Sequence, residues 1–295
     1  ITKGAGGALF VSGNFTTTAG GKVAKSTDGA GAVWTEITPA SWSAVAIDQI
    51  QLLPLLTDND IIAIRADTTN NDIDSRVYDE VTDTWDGSWT SIAALTESTT
   101  YDQWFSGSIE KSTGDVYLAF ANQTNNAAND IAFWSFTDAG RTWSQGADIM
   151  TNSASTMMPV TLVDETDSDI YVAYLRGTVE ANMAVYYKKS TDGGVSWSDE
   201  SVQLQGFTDD YKGLRGNLMN SARLGVVYYD DDDNDIFFTS IFDAIEVSID
   251  ESTLDATDEY GPSPSVVFIS DQVGYVFDID AASLDLAYRK TTDGG

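Results

Sequence analysis

The stretch Ser190-Thr191-Asp192-Gly193-Gly194-Val195-Ser196-Trp197 decides how the rest of this chain is read. A β-branched and aromatic run, Val185-Tyr186-Tyr187, leads into it, and a polar stretch follows. Asp-Gly-Gly is turn chemistry. A short carboxylate accepts hydrogen bonds from the backbone N–H groups just after it, and Gly tolerates φ > 0. Trp197 then carries a large apolar surface back towards the core.

Working outward, the chain reads as copies of this unit. Residues 130–138 are DIAFWSFTD, and setting Asp138 on Asp192 puts Gly140 on Gly194 and Trp143 on Trp197 without a gap. Residues 285–293 are DLAYRKTTD, followed by Gly294-Gly295. Residues 20–28 are GGKVAKSTD, with Trp34 one residue late. Two copies are decayed. Glu80 takes the Asp place with Trp85 in the Trp place, and Asp243 is kept with no Gly or Trp after it. The anchors 28, 80, 138, 192, 243 and 293 are spaced by 52, 58, 54, 51 and 50 residues. A period near 50 is the signature of a repeat architecture.

A β-rich run precedes each anchor: Ala8–Val11, Ile61–Ile64, Val116–Phe120, Ile170–Tyr174, Val226–Tyr229 and Tyr275–Phe277. Earlier runs include Gln49–Leu53, Met158–Leu162 and Ser265–Ile269. With the strand into the turn and the strand after the Trp, each unit has four short strands. Four-stranded units repeated radially make a β-propeller, each unit burying its faces against its neighbours. The reading is an all-β propeller with six units visible, one domain over 1–295, as a segment of a longer chain.

The turn pattern S/T-x-D-x-G-x-T/S-W resembles the Asp box, or BNR repeat, of sialidases and sialidase-like propellers. The resemblance is tight at 190–197 and good at 136–143, where Phe136 replaces the hydroxyl residue. It is truncated at 291–295, shifted at 26–34, and weak at 80 and 243. It implies that Asp28, Asp138, Asp192 and Asp293 fasten turns on the outer rim, with Ser190, Gly140, Gly194, Trp34, Trp143 and Trp197 as their structural companions.

Composition narrows the chemistry. There is no Cys and no His, which excludes disulfides, Cys nucleophiles, zinc sites built on those ligands and Ser-His-Asp triads. Fifteen Lys and Arg against 46 Asp and Glu give a net charge of −31. Phosphate neutralisation needs a basic patch, so nucleic acid is not an expected partner. No apolar run is long enough to span a membrane as a helix. The acidic, Thr-, Ser- and Asn-rich composition fits an extracellular or virion surface.

Candidate site residues follow from position and residue type. Asp230–Asp235 is the densest charge run and lies between two strand runs. Hard oxygen ligands at close spacing suit Ca²⁺, with Asp231, Asp233 and Asp235 as ligands, although an EF-hand's spacing and terminal Glu are absent. The sialidase resemblance implies three arginines for a substrate carboxylate, a Tyr–Glu nucleophile pair and an Asp acid/base. Only seven Arg exist, and the family's early Phe/Tyr-Arg-Ile-Pro motif is absent. Arg215, Asp102 and Tyr260 precede first-strand runs and are the residues placed to face an axial pocket. The first expectation is therefore a non-catalytic surface module for adhesion, glycan or receptor recognition, or assembly with neighbouring subunits. The alternative is an exo-acting, sialidase-type glycoside hydrolase. No cofactor is required beyond possible structural calcium.

Overall fold

The computed structural model describes residues 2–13, 22–27, 31–39, 47–67, 70–94, 104–122, 130–151, 155–177, 183–199, 201–209, 211–220, 223–230, 235–240, 246–250, 265–268, 274–279 and 286–291. These form six successive antiparallel sheets. The first holds β1 (Thr2–Lys3), β2 (Leu9–Gly13), β3 (Lys22–Ser26) and β4 (Thr35–Glu36). The second holds β5 (Ile47–Pro54), β6 (Ile61–Asp67), β7 (Asp72–Asp79) and β8 (Thr84–Trp85), with β9 (Thr90–Ala94) also on β7. The third holds β10 (Phe105–Ile109), β11 (Val116–Asn122), β12 (Asp130–Thr137) and β13 (Thr142–Gln145). The fourth holds β14 (Ser155–Val163), β15 (Ile170–Gly177), β16 (Met183–Ser190) and β17 (Ser201–Asp209). The fifth holds β18 (Tyr211–Asn220), β19 (Arg223–Asp230), β20 (Asp235–Ser240) and β21 (Glu246–Asp250). The sixth has β22 (Ser265–Phe268), β23 (Gly274–Ile279) and β24 (Leu286–Thr291) among the described residues.

Within each sheet the strands follow chain order, the meander of a propeller blade. From β5 through β10, β14 and β18 to β22, each first strand neighbours the next sheet's first strand, which sets these strands around a common axis. Polar side chains lace them together. Gln49 donates to Phe105 O at 2.6 Å and accepts from Trp104 N at 2.8 Å. Gln51, two residues on, donates to Gly107 O and accepts from Gly107 N, both at 2.7 Å. The matched offsets show that β5 and β10 run in the same direction. Thr161 continues the pattern, donating through Oγ1 to Ser106 O at 2.8 Å. These bonds satisfy edge groups that no ladder reaches.

Second strands are buried on both faces, and strict alternation decides which neighbour each residue meets. Ile61 and Ala63 pack in the core shared with the first sheet, while Ile62, Ile64 and Ala66 pack in the core shared with the third. Val116, Leu118 and Phe120 face back to the second sheet; Tyr117 and Ala119 face on to the fourth. Ile170, Val172 and Tyr174 then face back, and Tyr171, Ala173 and Leu175 face on. The core is thus a series of slabs between sheets. Among the described residues no helix is long and apolar enough to cross a membrane.

Candidate functional site

The register gives every sheet two unlike ends. First-strand starts lie opposite second-strand ends: Ile47 opposite Asp67, Phe105 opposite Phe120, Ser155 opposite Gly177, Tyr211 opposite Asp230. The connections between second and third strands, and those arriving at each first strand, therefore share one end. The turns between first and second and between third and fourth strands share the other.

The repeated anchors occupy that other end. In the 190–197 turn, Ser190 Oγ donates to Asp192 Oδ1 at 2.8 Å and accepts from Gly194 N at 2.8 Å. Asp192 accepts from Ser196 N at 2.9 Å and from Ser196 Oγ at 2.5 Å. These bonds, with that of Ser196 Oγ foremost, hold the Asp192 carboxyl down to about 2. Gly194 has φ +89, and a Cβ there would lie 2.0 Å from the Phe133 ring of the preceding sheet. Only Gly meets both demands.

Asp138 departs from the expectation that it fastens its own turn. Its carboxylate is fully buried, and Oδ2 accepts from Leu56 N at 3.0 Å and Thr57 N at 2.8 Å, in the preceding sheet. Phe136 supplies no hydroxyl where the other turn has Ser190, so the carboxylate takes backbone donors across the sheet boundary. Gly114 makes the room, since a Cβ there would sit 2.4 Å from Asp138 Oδ2. Arg141 follows into the same turn, donating to Thr57 O at 3.2 Å and Asp60 Oδ2 at 2.7 Å. Burial raises the Asp60 carboxyl above its usual range despite the bond from Glu80 N and the nearby Arg141.

The Trp that closes each turn is also an inter-sheet contact. Trp85 Nε1 donates to Ile37 O at 2.6 Å, Trp143 Nε1 to Ser75 Oγ at 2.8 Å, and Trp197 Nε1 to Ala147 O at 2.9 Å. Each partner belongs to the sheet before. Trp34, in the first sheet, is 38 % exposed.

The end that carries the second-to-third-strand connections holds a charged cluster centred on Arg65. Arg65 occupies the place of Phe120 and Tyr174 in the next two sheets and is 4 % exposed. Its Nε and Nη2 donate to Asp74 Oδ2 at 3.1 and 2.8 Å, and Nη2 to Asp67 Oδ2 at 3.0 Å. Its guanidinium carbon lies 4.1 Å from the centre of the Trp89 ring. Asn70 N and Nδ2 complete Asp67 at 3.1 and 3.0 Å. Asp72 stands opposite Asp67, and burial, then the Asp74 and Asp67 charges, raise its carboxyl. The sequence signal was a guanidinium in an otherwise apolar strand, IIAIRAD, with Asp two residues on and Asp across the ladder.

Arg215 lies in β18 opposite Val227. Asp102 and Tyr260 fall outside the described residues, in the stretches leading to β10 and β22, as do Asp28 and Asp293. Asp231 and Asp233 also lie outside them. The flanking strands β19 and β20 pair antiparallel, with Asp230 opposite Asp235. Among the described residues no group of three or more Asp or Glu is placed to hold a metal ion.

The propeller class has solved counterparts. An α-L-arabinanase of Penicillium chrysogenum superposes with TM-score 0.63 at 14% identity, over 99% of this chain and 91% of that one. A polysaccharide lyase of the PL25 ulvan lyase family gives 0.63 at 11%, over 99% and 78%. A Hadza microbial sialidase gives 0.59 at 12%, over 98% of this chain and 64% of the sialidase. At such identities the likeness establishes a sialidase-like β-propeller fold and nothing finer. No protein-family model matches the sequence, and no curated protein does.

Proposed function

We propose that this chain is a carbohydrate-directed propeller whose site lies at the end where first strands begin, and that it is an exo-acting glycoside hydrolase. The observation that supports this most is the near-complete superposition on glycan-cleaving propellers. Position adds to it. The longest stretch between described strands, 251–264, and two of the three ten-residue ones, 37–46 and 95–104, arrive at that end, and long connections on a rigid scaffold carry recognition. Asp102, Arg215 and Tyr260 all lie on, or lead into, first strands there. In this reading Arg215 orients the sugar, Asp102 serves as acid/base and Tyr260 joins the nucleophile. The 190–197 and 136–143 turns are Asp boxes with structural roles at the far end. The setting is extracellular or a virion surface, with calcium in the 230–235 hairpin.

A second reading keeps the same site without catalysis, as a glycan- or receptor-binding surface module. It is favoured by the Arg65 cluster, whose cation is already matched by carboxylates. Release of reducing sugar from arabinan, xylan and fluorogenic glycosides separates the two. Turnover abolished by Arg215→Ala supports the hydrolase. Binding without turnover on every glycan supports the second reading, and neither binding nor turnover rejects both.

A further inference from the structure

The outer strand of the second sheet is broken in the middle. β8 pairs with Tyr78 and Asp79 of β7, β9 pairs with Asp72 to Ser75, and residues 86–89 cross between them opposite Arg76 and Val77. The break contains Asp86-Gly87, one of two Asp-Gly pairs among the described residues; the other is Asp192-Gly193. Asp-Gly is open to backbone isomerisation, because no Cβ on the Gly hinders attack of its amide nitrogen on the preceding carboxyl. The two pairs stand in opposite surroundings.

At Asp192 the side chain is tied down. Ser190 Oγ, Ser196 N and Ser196 Oγ all donate to its carboxylate. Those bonds also keep it ionised. With its carboxyl held down to about 2, the neutral form that can lose water is tens of times scarcer than for an ordinary Asp. At Asp86 the constraint falls on the peptide instead. Asp86 N donates to Val77 O at 2.9 Å. Arg76 Nε donates to Asp86 O at 2.7 Å, and Arg76 Nη2 donates to the same oxygen. Asp86 and Gly87 are both exposed, and a Cβ on Gly87 would meet nothing within 4 Å. The Asp86 carboxylate accepts no hydrogen bond among the described residues, so the side chain swings while the peptide beside it is held.

Asp86 C=O and Gly87 N–H belong to one peptide group. Loss of the Gly87 amide proton therefore puts negative charge on Asp86 O by resonance. Two guanidinium donors already aimed at that oxygen stabilise the charge, as the donors of an oxyanion hole do.

We infer that Asp86-Gly87 is a site of self-modification, where Arg76 promotes closure of a succinimide and its opening to isoaspartate. Gly87 N gives its proton to water and attacks Asp86 Cγ. The N–Cγ bond forms, the Cγ–OH bond breaks, and one water leaves. Water then adds back to the ring. Opening at the main-chain carbonyl of Asp86 routes the chain through Cγ and adds one backbone methylene; opening at Cγ restores Asp86. The lengthened link lies between Trp85, whose Nε1 donates to Ile37 O of the first sheet, and Trp89, whose ring faces Arg65. Isomerisation thus respaces a contact between sheets and the stack on Arg65, whatever ligand the propeller takes.

The test ages the full chain at pH 5 and 37 °C. Isoaspartate is then quantified in two tryptic peptides, 77–111 and 190–212, each holding one Asp-Gly pair. Enzymatic methylation of isoaspartate gives the amount, and electron-transfer fragmentation gives the position. In the folded chain isoaspartate should form at 86 at least about tenfold faster than at 192. Arg76→Met, whose peptide runs 66–111, should slow position 86 by at least about threefold and leave 192 unchanged. In urea, where neither carboxyl is held, the two rates should converge, which ties the difference to the fold even where Arg76→Met fails to fold. Equal rates in the folded chain, or a faster rate at 192, overturn the inference. A difference that persists in urea assigns it to local sequence and overturns it as well. A rate at 86 that a folded Arg76→Met variant leaves unchanged overturns the role of Arg76.

Discussion

Asp138 Oδ2 accepts a hydrogen bond from the backbone N–H of Thr57 at 2.8 Å, joining a turn of the third sheet to a turn of the second. The same oxygen takes Leu56 N–H, so one buried carboxylate satisfies two donors that no strand ladder reaches. The anchor that repetition marks is thus a clasp between sheets at this position and a turn fastener at Asp192.

Asp138→Ala removes that clasp, while Arg141 keeps Asp60 at 2.7 Å. Each unsatisfied donor costs about 1–3 kcal/mol when buried, and partial access of water here sets the expected loss at about 2–3 kcal/mol. Urea unfolding measures it. Asp138→Asn, which keeps an acceptor oxygen, should lose less than half as much. An alanine variant as stable as the parent would show that the two N–H groups find other partners.

The Asp192 turn gives a pH signature. Its folded carboxyl sits at about 2, below the unfolded value of about 3.9. The unfolded chain therefore binds more protons between these values, and stability from this group is present above pH 4 and lost as pH falls to 2. Asp192 is exposed, so the effect is small. The difference in melting temperature between the parent and Asp192→Asn should narrow on acidification from pH 5 to pH 2. A difference constant across that window removes the role assigned to Ser190 and Ser196.

The Arg65 cluster predicts asymmetric mutational costs. Arg65→Ala leaves Asp67 and Asp74 buried without their cation and should cost about 3–5 kcal/mol. The double variant Arg65→Met, Asp74→Leu removes one carboxylate with the cation but leaves Asp67 buried without it, and should recover only part of that loss. Chemical denaturation of both variants decides it. A single variant that loses under 1 kcal/mol would mean that water reaches the cluster.

Charge density predicts the response to ions. With a net charge of −31, like charges often lie within a Debye length, about 8–10 Å at moderate salt. Stability should rise from millimolar to molar NaCl as self-repulsion is screened. Calcium at matched ionic strength should add a further gain by binding only the folded hairpin at 230–235. Melts of the parent and of the Asp231→Asn, Asp233→Asn variant separate the effects. A salt-independent midpoint rejects screening. A calcium gain that survives the double substitution moves the ion elsewhere, and no gain returns the hairpin to a solvated loop.

The sequence by itself determined the architecture. A turn pattern recurring near every 50 residues, with β-branched and aromatic runs at fixed distances before it, specifies repeated four-stranded units because backbone pairing within a unit is local. The 190–197 hydrogen bonds were legible for the same reason, since Ser190, Asp192 and Ser196 lie within one turn. Contacts across a sheet boundary were not. That Asp138 reaches Leu56 and Thr57, that Trp143 reaches Ser75, and that Arg65 is stacked on Trp89 between two carboxylates all depend on how neighbouring sheets are rotated and spaced about the axis.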